Sequence, residues 1–168
     1  YYRWITYLLV PVLWASFIAI CVFVASQPLS ATGLLAMIIN TGGGLGFAIN
    51  RGHEMGHKKS TLERWLAKLA LAPACYGHFY IEHNRGHHRD VATPVDPASS
   101  RMGESIYRFV LREMPGGFRR AWQLERERLA RCGKSPWSLD NEVLQPALIS
   151  LALYGALVAT LGWQILPF

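Results

Sequence analysis

Two long stretches of this chain carry no charged side chain. Residues 4–50 form one stretch of 47 residues, and residues 143–168 form another of 26. A bilayer core of about 30 Å requires roughly 20 apolar residues in a helix, so the pattern predicts spans over about 4–25, 31–50 and 146–166. A polar turn that contains a proline separates the first two spans as a hairpin. The predicted fold class is all-α: a multi-pass helical membrane protein.

The polar segment between the spans, residues 51–142, holds nearly all of the ionisable side chains. It contains all 11 acidic residues, all six histidines and 16 of the 17 lysines and arginines. This separation excludes an ordinary soluble domain, in which polar and apolar positions are interleaved at a helical or strand period. Because Lys and Arg mark the cytoplasmic side of a membrane protein, we expect this histidine-rich helical region to be cytoplasmic.

Two parts of the polar segment have a helical pattern of their own. Residues 60–81 begin with a capping box, Ser60 to Glu63, and continue into an uncharged stretch. We expect them to be interfacial or re-entrant, because a full crossing would place the histidines before and after them on opposite sides of the membrane. Further along, Glu104–Met114 and Phe118–Arg131 are predicted as two helices broken by Pro-Gly-Gly at 115–117.

A group of glycines lies inside the second predicted span. Gly42 and Gly46 form a small-xxx-small pair, which favours close packing of helices. The alternative is that the missing side chains leave room beside a substrate passage. The spacing does not match a phosphate-binding loop, and no Lys-Ser or Lys-Thr follows.

Five of the histidines fall into two groups with helical spacing. His53 and His57 are four residues apart, as are His83 and His87, and His88 follows directly. Residues i and i+4 share one face of an α-helix, about 6 Å apart, so two imidazoles at this spacing can converge on a metal ion. A regular α-helix rotates His88 by about 100° from His87, so we expect it to face a neighbouring site. These five residues are the predicted metal ligands.

Acidic residues lie close to both groups: Glu54, Glu82 and Asp90. Metal-bound histidines usually donate their second N–H to a carboxylate or a carbonyl, so these three residues are candidates for orienting the ligands. The alternative is that they pair with neighbouring arginines on a solvated surface. His78, which stands outside both groups, is not predicted to bind metal.

His53 and Glu54 also belong to an H-E-x-x-H sequence, the signature of zinc metalloproteases, in which the glutamate acts as a general base. An intramembrane zinc protease would need only one further ligand, which leaves most of the second histidine group without a role. A non-catalytic metal-binding membrane module is another class that five ligands alone would satisfy.

The sequences around the histidines resemble those of one enzyme family. Residues 52–59, GHEMGHKK, and residues 76–94, YGHFYIEHNRGHHRDVATP, closely resemble the first two histidine boxes of bacterial integral-membrane alkane hydroxylases. These are alkane 1-monooxygenases of the membrane fatty acid desaturase and hydroxylase superfamily. Residues 96–105, DPASSRMGES, and residues 140–142, DNE, resemble the same family, and the resemblance extends over the whole chain.

The resemblance implies a non-haem centre of two irons at the cytoplasmic face of the bacterial inner membrane. In the family, O₂ is activated and one oxygen atom is inserted at the terminal carbon of a medium- or long-chain alkane, giving a 1-alkanol in alkane degradation. NADH-dependent rubredoxin reductase and rubredoxin deliver the electrons. By position, the family ligands correspond to His53, His57, His83, His87 and His88. Membrane lipid is an expected neighbour, and nucleic acid is not an expected partner.

The family pattern is incomplete in this chain. The sequence lacks a further box of the type Asn-Tyr-x-Glu-His-Tyr-Gly and the third histidine box. We therefore expect residues 1–168 to be a partial hydroxylase domain that is inactive by itself. Related membrane desaturases and hydroxylases that act on fatty acyl chains or methyl aromatics are the alternative within the same chemistry.

The two helices predicted between Glu104 and Arg131 carry seven arginines against four glutamates. Contacts with anionic lipid at the cytoplasmic surface explain such an excess. The functional alternative is docking of an acidic rubredoxin, with Arg119 and Arg120 as the residues to test.

Overall fold

A computed structural model describes residues 2–168 of the chain. These residues form helices, turns and loops and contain no β-strand, which confirms the all-α prediction. In chain order the elements are α1 (Tyr2–Ser26), α2 (Ala31–Gly56), α3 (Thr61–Leu71), α4 (Phe79–Ile81), a π-helix (Glu82–His87), α5 (His88–Asp90), α6 (Ile106–Arg131), α7 (Leu144–Leu161) and a short 3-10 helix (Trp163–Ile165).

Three of the described helices, α1, α2 and α7, are long and apolar enough to cross a membrane. They coincide with the three predicted spans, and two of these helices end at other residues than the apolar stretches do. α2 continues past Asn50 to Gly56, because the charges after Asn50 end the apolar stretch without ending the backbone hydrogen bonding. α7 ends at Leu161 and not at residue 166, because Gly162, at φ +89°, leaves the helical conformation.

The chain divides into two compact units. The first combines residues up to Tyr76 with residues 148–168, and the second comprises Gly77–Ala147. Side chains of α1, α7 and the 3-10 helix form a core cluster in the first unit: Phe17, Cys21, Leu153, Leu157 and Ile165. This cluster joins the two ends of the chain within one unit.

In the first unit, two hydroxyl groups of α7 form hydrogen bonds with backbone carbonyls at the end of α3. The Ser150 hydroxyl donates to the Ala72 carbonyl at 2.8 Å, and the Tyr154 hydroxyl donates to the Pro73 carbonyl at 2.7 Å. Carbonyls at the end of a helix have no partner within the helix. The Ala72 carbonyl also accepts from the Cys75 N–H at 2.9 Å, so the Ser150 hydroxyl adds a second hydrogen bond to it.

α3 is an amphipathic helix of 11 residues, about 16 Å long. This length is too short to cross the bilayer, in agreement with the expectation that residues 60–81 are not a span; their position at the membrane surface stays a prediction. Ser60 caps the helix by accepting from the Glu63 N–H, as the capping box predicts. The Glu63 carboxylate accepts two hydrogen bonds from Arg3 of α1, at 2.9 and 3.0 Å. The bonds from Arg3 and Ser60 lower the pKa of Glu63 to about 2.

α6 is a single helix of 26 residues, so the predicted break at 115–117 was wrong. Pro115 removes one backbone donor but leaves the helix continuous. Other segments of the second unit pack near the two glycines. A Cβ on Gly116 would lie 2.8 Å from Cβ of Pro97, and one on Gly117 would lie 3.7 Å from Cγ of Glu82. The lack of a side chain at Gly116 therefore lets the loop at Pro97 approach α6, whereas the distance at Gly117 is an ordinary van der Waals contact.

Candidate metal centre

The first histidine pair lies at the end of α2. His53 is in the last turn of the helix, and His57 is its C-cap residue. Their Nε2 atoms are 3.0 Å apart, and the ring planes are nearly perpendicular, at 89°. The spacing of four residues therefore brings both imidazole nitrogens to one point, as the period of an α-helix predicts.

The second close pair is His83 with His88. Residues 82–87 form a π-helix, in which backbone hydrogen bonds join residues five apart. The Nε2 atoms of His83 and His88 are 3.0 Å apart, whereas the rings of His83 and His87 are stacked with centroids 5.4 Å apart. In a regular α-helix, residues five apart differ in direction by roughly 140°, and the wider π turn removes most of this angle. The structure thus brings His88, and not His87, closest to His83, and the expectation that His88 faces a neighbouring metal site stays a prediction.

The geometry of each pair fits a metal ion. Two imidazole nitrogens bound to one ion at about 2.1 Å, with a right angle between them, lie about 3.0 Å apart. Both pairs have this separation between their Nε2 atoms. Neutral imidazole suits iron, copper and nickel as well as zinc, so the donor set fits a redox-active metal.

A buried carboxylate, Asp96, contacts His87. Its Oδ2 atom lies 2.8 Å from His87 Nδ1 and accepts from the Ser99 hydroxyl at 2.5 Å, while Oδ1 accepts from the Ala98 N–H at 3.1 Å. Burial alone would raise the pKa of Asp96, but the hydrogen bonds from Ser99, His87 and Ala98 outweigh it and hold this pKa below its ordinary range. Asp96 was not among the residues predicted from the sequence. The signal that points to it is the turn sequence Asp-Pro-Ala-Ser, in which an aspartate accepts from the backbone two residues later.

Two of the three predicted carboxylates pair with arginines. Glu54 lies 3.3 Å from Arg51, one turn earlier on α2. Asp90 binds Arg89 at 3.0 Å and also binds Arg120 of α6. These ion pairs are what the alternative interpretation of the two residues expects, and a role in orienting a histidine stays a prediction for both.

Glu82, the third carboxylate, is buried in the second unit, with its side chain 3% exposed. Its Oε1 atom has no hydrogen-bond partner among the described residues, and Nη1 of Arg120 lies 4.0 Å away. Burial raises the pKa of Glu82 to about 7, although the charge of Arg120 opposes the shift. Gly86 leaves room for this group, because a Cβ there would lie 3.0 Å from Oε1. The absence of a side chain at Gly86 therefore matters for the packing of the π-helix.

His78 has the surroundings of a packed side chain. It precedes α4, and its ring meets the ring of Phe118 edge-on, with centroids 5.3 Å apart. Burial lowers the pKa of His78 to about 4, so the ring is neutral at physiological pH. That His78 is not a metal ligand stays a prediction.

A cavity of about 880 Å³ in the second unit is lined by five arginines: Arg89, Arg101, Arg112, Arg119 and Arg120. The side chain of Arg120 is only 13% exposed, and it binds Asp90 and donates to the Val95 carbonyl at 3.1 Å. These contacts leave little of its guanidinium exposed, and docking of rubredoxin at this residue stays a prediction. Arg119 is exposed and is therefore the more accessible of the two arginines predicted to contact rubredoxin.

An apolar cavity of about 490 Å³ lies between α1 and α2. Phe17, Phe47 and the glycines Gly43 and Gly44 are among its lining residues. A Cβ placed on Gly42 or on Gly46 would meet nothing within 4 Å among the described residues. The close helix packing expected of that pair is therefore not seen in the part of the chain that the structure describes, where the glycines leave open space.

Comparison with known proteins gives a consistent set of relatives. The family model described as fatty acid desaturase matches residues 28–168. Alkane 1-monooxygenase 1 of Alcanivorax borkumensis is 58% identical over 168 residues, which is the whole chain and 42% of that protein. Alkane 1-monooxygenase of Ectopseudomonas oleovorans is 55% identical with the same coverage. A more distant relative, the xylene/toluene monooxygenase hydroxylase component XylM of Pseudomonas putida, is 33% identical over 137 residues, 82% of the chain and 36% of that protein. The chain spans less than half the length of these curated relatives.

Proposed function

The chain belongs to the fatty acid desaturase family, and from this premise we propose that the protein containing it is an alkane 1-monooxygenase. Such an enzyme hydroxylates the terminal carbon of medium- or long-chain alkanes to 1-alkanols with O₂. The proposal rests on two histidine pairs, each with its two Nε2 atoms 3.0 Å apart. They lie in a chain that is 58% identical, along its whole length, to an alkane 1-monooxygenase.

Iron is a metal that imidazole ligands bind and that can carry out this oxidation. An unactivated C–H bond offers no acidic proton and no electrophilic carbon, so its oxidation needs a redox metal, and imidazole suits iron. The residues that would hold two non-haem irons are His53, His57, His83, His87 and His88. Bound iron would supply the activation of O₂. The contribution of the chain is to fix the rings, through the end of α2 for the first pair and the π-helix for the second.

The substrate chemistry calls for an apolar site. An alkane has no group that forms hydrogen bonds, so its binding depends on a passage lined by hydrocarbon. The cavity between α1 and α2 supports this, because most of the side chains that line it are apolar. Gly43 and Gly44 also line it and place no side chain in it. We propose that alkane enters from the membrane along these helices.

Electrons would arrive from the cytoplasm, by way of rubredoxin and its NADH-dependent reductase. The proposed location is the bacterial inner membrane, with the histidine-rich segment on the cytoplasmic face, as the positive residues after α2 indicate. Arg119 is exposed beside the arginine-lined cavity, and a positive surface of this kind favours an acidic partner.

A second candidate is hydroxylation of methyl aromatics. The observation that favours it is the 33% identity to a xylene/toluene monooxygenase component over 82% of the chain. The two candidates share the metal chemistry and differ in the shape of the substrate. Product analysis of the full-length protein with octane, hexadecane and xylene separates them: 1-octanol or 1-hexadecanol supports the first, and oxidation of xylene alone supports the second.

Alanine substitutions in the full-length protein test the metal assignment. The five variants His53→Ala, His57→Ala, His83→Ala, His87→Ala and His88→Ala should each lose octane hydroxylation with rubredoxin and NADH, and each should contain less iron. His78→Ala is the matched control and should keep a measurable fraction of both. Zinc in place of iron in the wild-type protein, with no 1-octanol formed, would contradict the proposal and favour the protease alternative.

A further inference from the structure

We propose that Asp96 is a positioning residue for His87, which it holds in the tautomer with the proton on Nδ1 so that Nε2 is free to bind metal. This inference rests on the proposed function, because it takes His87 to be a metal ligand. Asp96 Oδ2 and His87 Nδ1 are 2.8 Å apart, and the Asp96 side chain is 0% exposed. An ionised carboxylate can only accept hydrogen bonds, so the shared proton belongs to the ring nitrogen.

The two carboxylate oxygens of Asp96 have different partners. Oδ1 accepts from the Ala98 N–H at 3.1 Å and lies 3.5 Å from Nη1 of Arg120. Oδ2 faces Nδ1 of His87 and the hydroxyl of Ser99. Because the groups on the Oδ1 side can only donate, that side of the residue must present an acceptor. The carboxylate is therefore fixed in orientation as well as in place.

Arg120 holds both ends of the contact between His87 and Asp96. One of its nitrogens, Nη2, donates to the Gly86 carbonyl at 3.3 Å, and Nη1 donates to the Val95 carbonyl at 3.1 Å. Gly86 and Val95 are the residues that immediately precede His87 and Asp96. One guanidinium, 13% exposed, thus bridges the two backbone segments that carry the imidazole and the carboxylate. A carboxylate that accepts from the second ring nitrogen, as Asp96 does here, fixes the tautomer and the direction of a metal-bound histidine.

Asp96→Asn separates this role from a purely structural one. The Ala98 N–H and Arg120 require an acceptor, so the amide oxygen must take the place of Oδ1. The amide NH₂ then takes the place of Oδ2 and donates to Nδ1 of His87. That arrangement moves the ring proton to Nε2, the nitrogen that would bind the metal. Asp96→Asn should therefore weaken metal binding at least as much as Asp96→Ala, although it preserves more of the local hydrogen bonding.

The test compares full-length wild-type protein in detergent with Asp96→Asn, Asp96→Ala and the matched control Asp140→Asn, which removes an exposed carboxylate bound to Lys134. Iron affinity is measured by competition with a chelator, and folding by the thermal midpoint of the iron-free protein. We expect Asp96→Asn to bind iron about 10- to 100-fold more weakly, with an iron-free midpoint close to that of Asp140→Asn. In spectra of ¹⁵N-labelled histidine, one ring of the iron-free variant should change from the Nδ1–H to the Nε2–H tautomer.

Any one of three outcomes would overturn the positioning role of Asp96. Equal iron affinity in wild type and Asp96→Asn would overturn the positioning role while leaving the proposed function intact. A smaller loss in Asp96→Asn than in a folded Asp96→Ala, with no change of tautomer, would also overturn it. A wild-type protein that binds no iron would overturn the proposed function and this inference together.

Discussion

Gly52 lies at a close contact between α2 and α3, one residue before the first histidine. A Cβ at this position would lie 2.6 Å from Cγ of Leu71 and 2.9 Å from its Cδ2. Carbon atoms in favourable contact are about 3.5–4.0 Å apart. Leu71 is 0% exposed, so its side chain has no open space to move into. We expect Gly52→Ala to push α3 away from α2 by about 1 Å.

Two effects of opposite sign determine the size of the change. Adding a methylene or methyl group to a filled core costs about 1–3 kcal/mol, whereas replacing Gly by Ala inside a helix stabilises it by about 1 kcal/mol. The steric cost lies towards the upper end, because the new methyl group meets two atoms of a fully buried side chain. The expected net loss is about 1–2 kcal/mol. Because the shift per kcal/mol falls with chain length, the thermal midpoint of the full-length protein should fall by less than the roughly 2–8 °C expected for a domain of about 150–250 residues.

The thermal midpoint of the detergent-solubilised full-length protein measures this loss, and a double-mutant cycle with Leu71→Ala identifies its cause. Leu71→Ala alone should cost about 2–5 kcal/mol through the cavity that it leaves. In the Gly52→Ala background the new methyl group fills part of that cavity, so the two changes should couple by at least about 1 kcal/mol. A Gly52→Ala protein as stable as the wild type, with strictly additive effects in the double variant, would refute the close approach of the two helices.

Two further predictions concern charged groups. Glu63→Gln should lower the thermal midpoint at neutral pH, because Arg3 and Ser60 hold the pKa of Glu63 at about 2. A carboxyl group with a depressed pKa stabilises the fold at pH values above its ordinary pKa of about 4.5. This contribution is lost as the pH falls towards 2. The gap between wild type and variant should therefore shrink between about pH 4.5 and pH 2, and a gap independent of pH would contradict the pairing. Arg119→Glu in the full-length protein should raise the Michaelis constant for rubredoxin and flatten its salt dependence. Arg108→Glu, exposed on the same helix but outside the arginine-lined cavity, is the control; an unchanged rubredoxin dependence in Arg119→Glu would leave lipid contact as the role of these arginines.

The spanning helices and the first histidine pair could be predicted from the sequence alone. A bilayer requires every crossing segment to satisfy its backbone hydrogen bonds internally, so length and apolar composition identify a helix whatever its neighbours are. The convergence of His53 and His57 is likewise a local property, because four residues make about one turn of a regular α-helix.

The failed prediction for α6 shows where local signals stop. Pro-Gly-Gly is typical of a helix end, yet the helix continues through it. The loop at Pro97 packs against Gly116, where a Cβ would lie only 2.8 Å from Cβ of Pro97, and Glu82 of the π-helix packs near Gly117. Such packing depends on residues about 20 to 35 positions away in the sequence, and no local propensity contains that information.

The tertiary structure alone decided how the second histidine group is arranged. The π-helix pairs His83 with His88, Asp96 meets His87 from nine residues further along, and Arg120 reaches back 34 residues to Gly86. Neither a regular α-helix nor a strand brings positions at these separations together. The contacts exist because the loop after the π-helix folds onto α6, where Arg120 donates to the Gly86 and Val95 carbonyls and lies 3.5 Å from the buried carboxylate of Asp96.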